Sequence, residues 1–121
     1  MSLIQIIEDE EFIANIMRVN LEEAGHKVIM SSNGEVAYKD IKNNKPDLIL
    51  LDLIMPNMDG FEFLSKVKSN VEIKDIPIIV TSNLNQDEDI DRVKKMGVKN
   101  YLVKSDITMK DLVDEVNKYL N

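Results

Sequence analysis

The chain has no cysteine. That excludes disulfides and thiolate-ligated metal, and it fits a reducing, cytoplasmic setting. No apolar run approaches the ~20 residues that cross a bilayer as a helix, so no membrane span and no membrane partner are expected. The first residues, MSLIQIIED, carry no basic stretch and no small-residue cleavage pattern, so no secretory leader is expected. Glycine is scarce, with four in the chain, and none lies in the loop directly after the first apolar run. Many nucleotide-binding α/β proteins place a phosphate-cradling glycine loop there. This chain has EDEEF instead, and four acids beside a helix start repel an anion. Positive charge is also short. Fifteen Lys and Arg against 22 Asp and Glu leave a net charge of −7, which disfavours direct binding to a nucleic-acid backbone.

What is present is an alternation. With 121 residues, 44% of them hydrophobic, the chain suits one domain, residues 1–121, with a layered core. Short runs rich in Ile, Val and Leu fall at Leu3–Ile7, Lys27–Met30, Leu48–Leu51, Ile78–Val80 and Tyr101–Val103. They lack clean polar alternation, as strands do when both faces are covered. Gln5 is a polar residue inside such a run. Between the runs lie helical patterns. Phe12, Ile13, Ile16, Met17, Val19 and Leu21 lead to a stop at Gly25, and Val36, Ala37 and Ile41 follow Asn33-Gly34. A third pattern opens at Asp59, a fourth stops at Gly97, and Thr108 with Asp111 resembles a capping box before the last. Five strand–helix units imply right-handed crossovers and an α/β doubly wound, five-stranded parallel sheet. Ligands of such sheets sit beyond the carboxyl ends of the strands.

Those ends carry chemistry. Strand one ends in Glu8-Asp9, strand three in Asp52, strand four in Thr81-Ser82 and strand five in Lys104. Glu10 and Glu11 have a simpler reading, since acids complement a helix N-terminus. Glu8 and Asp9 precede the helix. Two carboxylates about 4 Å apart repel by ~4 kcal/mol at an effective dielectric near 20, so either a carboxyl protonates or a cation binds. An all-oxygen site without Cys or a nearby His suits a hard ion, and Mg²⁺ is the expected one. Asp52 then becomes a nucleophile toward phosphorus, with Lys104 and Thr81 placed to meet the oxygens of the transferred group.

With IIEDEEF, LILLDLIMPNMDGFEF, PIIVTSN and YLVK in this order, the chain resembles the receiver domain of two-component response regulators over essentially its whole length. The resemblance implies a flavodoxin-like (βα)5 fold with strand order 2-1-3-4-5. It implies a phosphorylation-controlled switch that takes its phosphoryl group from a phosphohistidine on a sensor histidine kinase or phosphotransfer protein. It makes Asp52 the phospho-acceptor, Asp9 a direct Mg²⁺ ligand, Glu8 a ligand through water, and the Ile54 backbone carbonyl a further ligand. Thr81 and Lys104 would hold phosphoryl oxygens, and Tyr101 would be the aromatic switch that turns inward as Thr81 moves. Tyr101 has a second reading, as an aromatic that caps the edge strand. Met55-Pro56 and Asp59-Gly60 would form the turn from the acceptor into helix three. Ile54 and Asn83 would flank the approach of hydrolytic water. The output would pass to a downstream protein or an effector domain, and the domain itself is expected to be a monomer or weak dimer.

There are departures from that family. Ser105 follows Lys104 where proline is usual on a cis bond, and a non-proline cis bond costs ~3 kcal/mol. MGVKNYLVKSD lacks the acidic pair before Tyr found in winged-helix regulators that dimerise through this face, and the last helix ends VNKYLN rather than in paired arginines. Two other functions compete. A pseudo-receiver would keep the fold as an interaction module without phosphorylation. A haloacid-dehalogenase-type phosphatase would need a second Asp where Ile54 stands. On this reading the chain is no enzyme beyond its own phosphorylation and dephosphorylation. His26 reads as a surface turn residue, and the methionines mostly as core filler.

Overall fold

The computed structural model describes residues 2–55, 58–84 and 86–120. Five strands and five α-helices alternate along them. They are β1 (Leu3–Ile7), α1 (Glu11–Glu23), β2 (Lys27–Ser31), α2 (Gly34–Asn43), β3 (Leu48–Leu51), α3 (Gly60–Lys68), β4 (Ile78–Ser82), α4 (Asp87–Lys95), β5 (Asn100–Val103) and α5 (Met109–Lys118). A 3₁₀ turn, Lys104–Asp106, joins β5 to α5. All strands pair in parallel in the order β2-β1-β3-β4-β5. The expected fold class and strand order both hold. β4 runs two residues further than its apolar run, so Thr81 and Ser82 lie inside the strand.

Both sheet faces are covered, which is why the strands read as unbroken apolar runs. Alternate residues of β3 enter two different cores. Ile49 and Leu51 pack with Ile41, Phe63, Val67 and Val93 of α2, α3 and α4. Leu48 and Leu50 pack with Ala14, Met17, Leu21, Leu112 and Val116 of α1 and α5. Gln5 is buried too, and its amide nitrogen donates to the Ser31 hydroxyl and the Ala37 carbonyl, each at 3.1 Å.

The ends of the helices follow local chemistry. The Asn33 and Asp59 side chains accept the Val36 and Glu62 N–H groups, capping α2 and α3. Thr108 and Asp111 form a reciprocal capping box on α5. Gly25 and Gly97 follow α1 and α4 at φ +97° and +91°, a region that costs an L side chain strain.

α1 forms where its apolar pattern placed it, but within it Phe12, Ile16 and Val19 are exposed, and the buried residues are Ala14, Met17 and Leu21. The apolar set of that helix is wider than one face, so its periodicity alone did not choose the buried side. His26 is more than a turn residue. Its Nε2 lies 2.8 Å from Asn117 Oδ1 and ties the start of β2 to α5 across the fold. The expected turn through Pro56 lies outside the described residues.

Candidate functional site

Strand register builds the site. Ile7 pairs with Leu51, and Leu51 pairs with Val80. The next residue along each strand is Glu8, Asp52 and Thr81, so three polar side chains stand abreast at the carboxyl edge. Backbone bonds fix two of them, Asp52 N–H to the Ile7 carbonyl at 3.0 Å and Glu8 N–H to the Ser31 carbonyl at 3.1 Å. Val103 pairs with Ser82 on the far side of β4, and Lys104 follows it.

From there the Lys104 side chain reaches back across the edge. Its ammonium hydrogen-bonds Glu8 and lies 3.4 Å from Asp52 Oδ2. All three groups are largely dry, with side-chain exposures of 12% for Lys104, 1% for Glu8 and 7% for Asp52. Asp9 is exposed, and it can bring a carboxylate oxygen within 4.8 Å of oxygens on Glu8 and Asp52. Glu8 Oε2 also accepts the Glu10 N–H at 3.2 Å.

The electrostatics follow from burial. Burial pushes the Glu8 carboxyl up to about 7; the Asp52 charge pushes the same way, and the bond from Lys104 opposes both. Burial also raises Asp52, with Lys104 opposing. Burial pulls the Lys104 ammonium down, but its bond to Glu8 and the charges of Asp52 and Glu8 outweigh that and leave it raised. One ammonium faces three carboxyl groups. Fully ionised, the cluster keeps two negative charges, which a divalent cation would balance. Its donors are all oxygens. The residues present therefore fit Mg²⁺.

Thr81 is buried at the end of β4, abreast of Asp52. Tyr101 is 8% exposed, and its hydroxyl donates to the Leu84 carbonyl at 2.6 Å. The ring is therefore buried, with its hydroxyl held by the segment that follows β4. Ile54 sends its N–H toward Asp52 Oδ1 at 3.4 Å, and the residue is 59% exposed. Gly60 is there for a spatial reason. A Cβ on it would lie 2.5 Å from Leu53 Cα and 2.8 Å from the Asp52 carbonyl, so α3 approaches the backbone after β3 this closely only through glycine.

Sequence reasoning missed two features. The first is the Glu8–Lys104 pair, whose members are 96 residues apart and meet only once the strand order is known. The second is the bond from the Ser105 N–H to Asn83 Oδ1 at 3.2 Å. No peptide bond among the described residues is cis, so the Lys104–Ser105 bond is trans.

A parallel sheet in this order, with acids beyond β1 and β3 and a lysine beyond β5, defines a receiver-type domain. The family model described as "Response regulator receiver domain" matches residues 4–117, and the chain belongs to that family, the receiver domains of two-component response regulators. It is 35% identical over 103 residues to the alkaline phosphatase synthesis transcriptional regulatory protein PhoP of Bacillus subtilis, covering 84% of this chain and 41% of that protein. It is 30% identical over 104 residues to protein PilH of Pseudomonas aeruginosa, covering 86% of each. The chain thus spans less than half of PhoP but most of PilH. The solved structure of Vibrio cholerae chemotaxis protein CheY4 superposes with a TM-score of 0.91 at 26% identity, over 99% of both chains. Among the described residues no helix is long and apolar enough to cross a membrane.

Proposed function

We propose that residues 1–121 form one receiver domain acting as a switch, with Asp52 as its phosphoryl acceptor. The observation that carries this reading is the meeting of Glu8, Asp52 and Lys104 at one dry edge, with Asp9 beside them. An Asp52 carboxylate oxygen attacks the phosphorus of a phosphohistidine. The new O–P bond forms as the P–N bond breaks, and the electron pair stays on the imidazole nitrogen, which takes up a proton. Glu8, Asp9, Asp52 and the Ile54 carbonyl would hold Mg²⁺. When bound, that ion supplies positive charge opposite the oxygens of the transferred group. Lys104, already within reach of Asp52, supplies a second positive charge there. The Thr81 hydroxyl donates a hydrogen bond to a phosphoryl oxygen, and its movement is passed to Tyr101 through the β4–α4 segment.

The donor is a sensor histidine kinase or a phosphotransfer protein. Exposed apolar side chains on α1 and after β3, Phe12 (77% exposed), Ile16 and Ile54, favour a protein donor that covers them. The downstream recipient is a protein target or a further domain. The setting is the cytoplasm, in keeping with a chain free of cysteine. The domain turns over no separate substrate and governs only its own phosphorylation and dephosphorylation. The retained acids and lysine weigh against a pseudo-receiver, and family membership against a phosphatase. The test is transfer of radiolabelled phosphoryl from a phosphohistidine donor in Mg²⁺. The label should be labile to hydroxylamine, as an acyl phosphate is, and absent from Asp52→Asn. Equal labelling of that variant would overturn the assignment.

A further inference from the structure

The residue after Lys104 is Ser105, so the first turn beyond β5 has a backbone N–H where proline would have none. The turn Lys104–Asp106 is 3₁₀, and its N-cap, Val103, offers no side-chain cap. The first donors of a helical turn have no partner within it. Here Asn83, 22 residues away on the segment after β4, supplies one, with its Oδ1 accepting the Ser105 N–H at 3.2 Å. The bond joins the segment that follows Thr81 to the turn that begins at Lys104.

It acts one residue from the lysine whose ammonium spans Glu8 and Asp52. Beside that lysine is a cavity of about 310 Å³ lined by Ile13, Met17, Asn83, Lys104, Ile107 and Met109 among others. The Lys104 stem therefore borders open, largely apolar space on one side. The charges of Glu8 and Asp52 hold its head, but they do not fix the backbone from which the side chain leaves.

We propose that Asn83 is a positioning residue for phosphoryl transfer. By capping the turn through the Ser105 N–H it sets the departure of Lys104 toward Asp52, and it acts on the reaction only through that lysine. The proposal rests on the reading of Asp52 and Lys104 given above. It also assigns the Asn83 amide oxygen to the backbone rather than to water near the acceptor.

Asn83 is exposed and outside the core, so Asn83→Ala should fold normally. Three readouts are taken on wild type, Asn83→Ala and Asn83→Asp. They are hydrogen exchange of the Ser105 amide, the NMR signal of the Lys104 ammonium, and the rate of phosphorylation by acetyl phosphate in Mg²⁺. In Asn83→Ala the Ser105 amide should exchange about five-fold faster, the equivalent of one typical net hydrogen bond. The slowly exchanging ammonium signal should weaken, and phosphorylation should slow by a similar factor. Asn83→Asp keeps an acceptor oxygen and should restore the first two readouts. Unchanged Ser105 exchange in Asn83→Ala would overturn the proposal, because the tether would not exist. Faster exchange with an unchanged Lys104 signal and unchanged phosphorylation would overturn it too, by making the bond a loop contact only. If the wild type takes no phosphoryl group, the proposed function fails separately. The Lys104 signal then decides, its loss in Asn83→Ala upholding the positioning role and its persistence overturning it.

Discussion

The Tyr101 hydroxyl donates its hydrogen to the Leu84 carbonyl at 2.6 Å and so ties β5 to the segment leading into α4. Burial raises the pKa of the phenol, and the nearby charges of Asp89 and Asp52 push the same way. The hydroxyl therefore stays protonated, and able to donate, across the neutral range. Tyr101→Phe keeps the ring and loses the bond, at a cost of about 1 kcal/mol. Tyr101→Ala also empties a buried volume and should cost about 3 kcal/mol or more. Urea unfolding measures both. A Phe variant as stable as wild type would mean that the Leu84 carbonyl finds an equal partner in water.

The pH dependence of stability should report on Glu8. Its pKa of about 7 in the fold lies above the ordinary 4.5, so the folded state holds that proton more tightly than the unfolded chain does. This contribution is complete below about pH 4.5 and is lost as pH rises through about 7. Asp52, raised by burial, acts in the same direction. Without Mg²⁺, melting temperature should fall over that window, and Glu8→Gln should flatten the fall. Mg²⁺ at 100 times its dissociation constant should add about 2.7 kcal/mol, and Asp9→Ala should remove most of the gain. A wild-type melting curve indifferent to Mg²⁺ would count against the acid cluster as a cation site.

Gly60 should tolerate no side chain. A methyl group there meets the backbone of Leu53 and Asp52 rather than a movable side chain. Gly60→Ala should destabilise the domain by about 1–3 kcal/mol and, on the proposed function, slow phosphorylation, since the displaced backbone carries Asp52. Denaturation and acetyl phosphate kinetics on one preparation check both effects. Normal values for each would show that α3 can back away freely.

Ile54 should lengthen the life of the phosphorylated state. It is branched and apolar, stands two residues beyond Asp52, and is largely exposed at the open edge. There it crowds the approach of water and offers it no hydrogen bond. Phosphate release from phosphorylated Ile54→Asn should be faster than from wild type at matched Mg²⁺ occupancy. An unchanged or slower rate would mean that the side chain leaves the path of water open.

The fold was legible because unbroken apolar runs alternate with helical patterns along the whole chain, two of them stopped by Gly25 and Gly97. Leu48–Leu51 reads as a strand covered on both faces, and its residues do enter two cores. The strand-end acids and Lys104 were legible for the same reason, since parallel strands bring their carboxyl ends to one edge. Two things were not legible. The buried side of α1 was not, because Phe12, Ile16 and Val19 extend its apolar set around the helix. Nor were the pairings Glu8–Lys104 and Asn83–Ser105, because they depend on side chains reaching across strands or between loops that are distant in sequence.

The most direct test of the central claim is the intact mass of the domain after incubation with acetyl phosphate and Mg²⁺. The acids and Lys104 gather at Asp52, so on the proposed function wild type should gain the mass of one phosphoryl group, less of it when Mg²⁺ is chelated, and Asp52→Asn should gain none. Equal gain by wild type and Asp52→Asn would contradict the account.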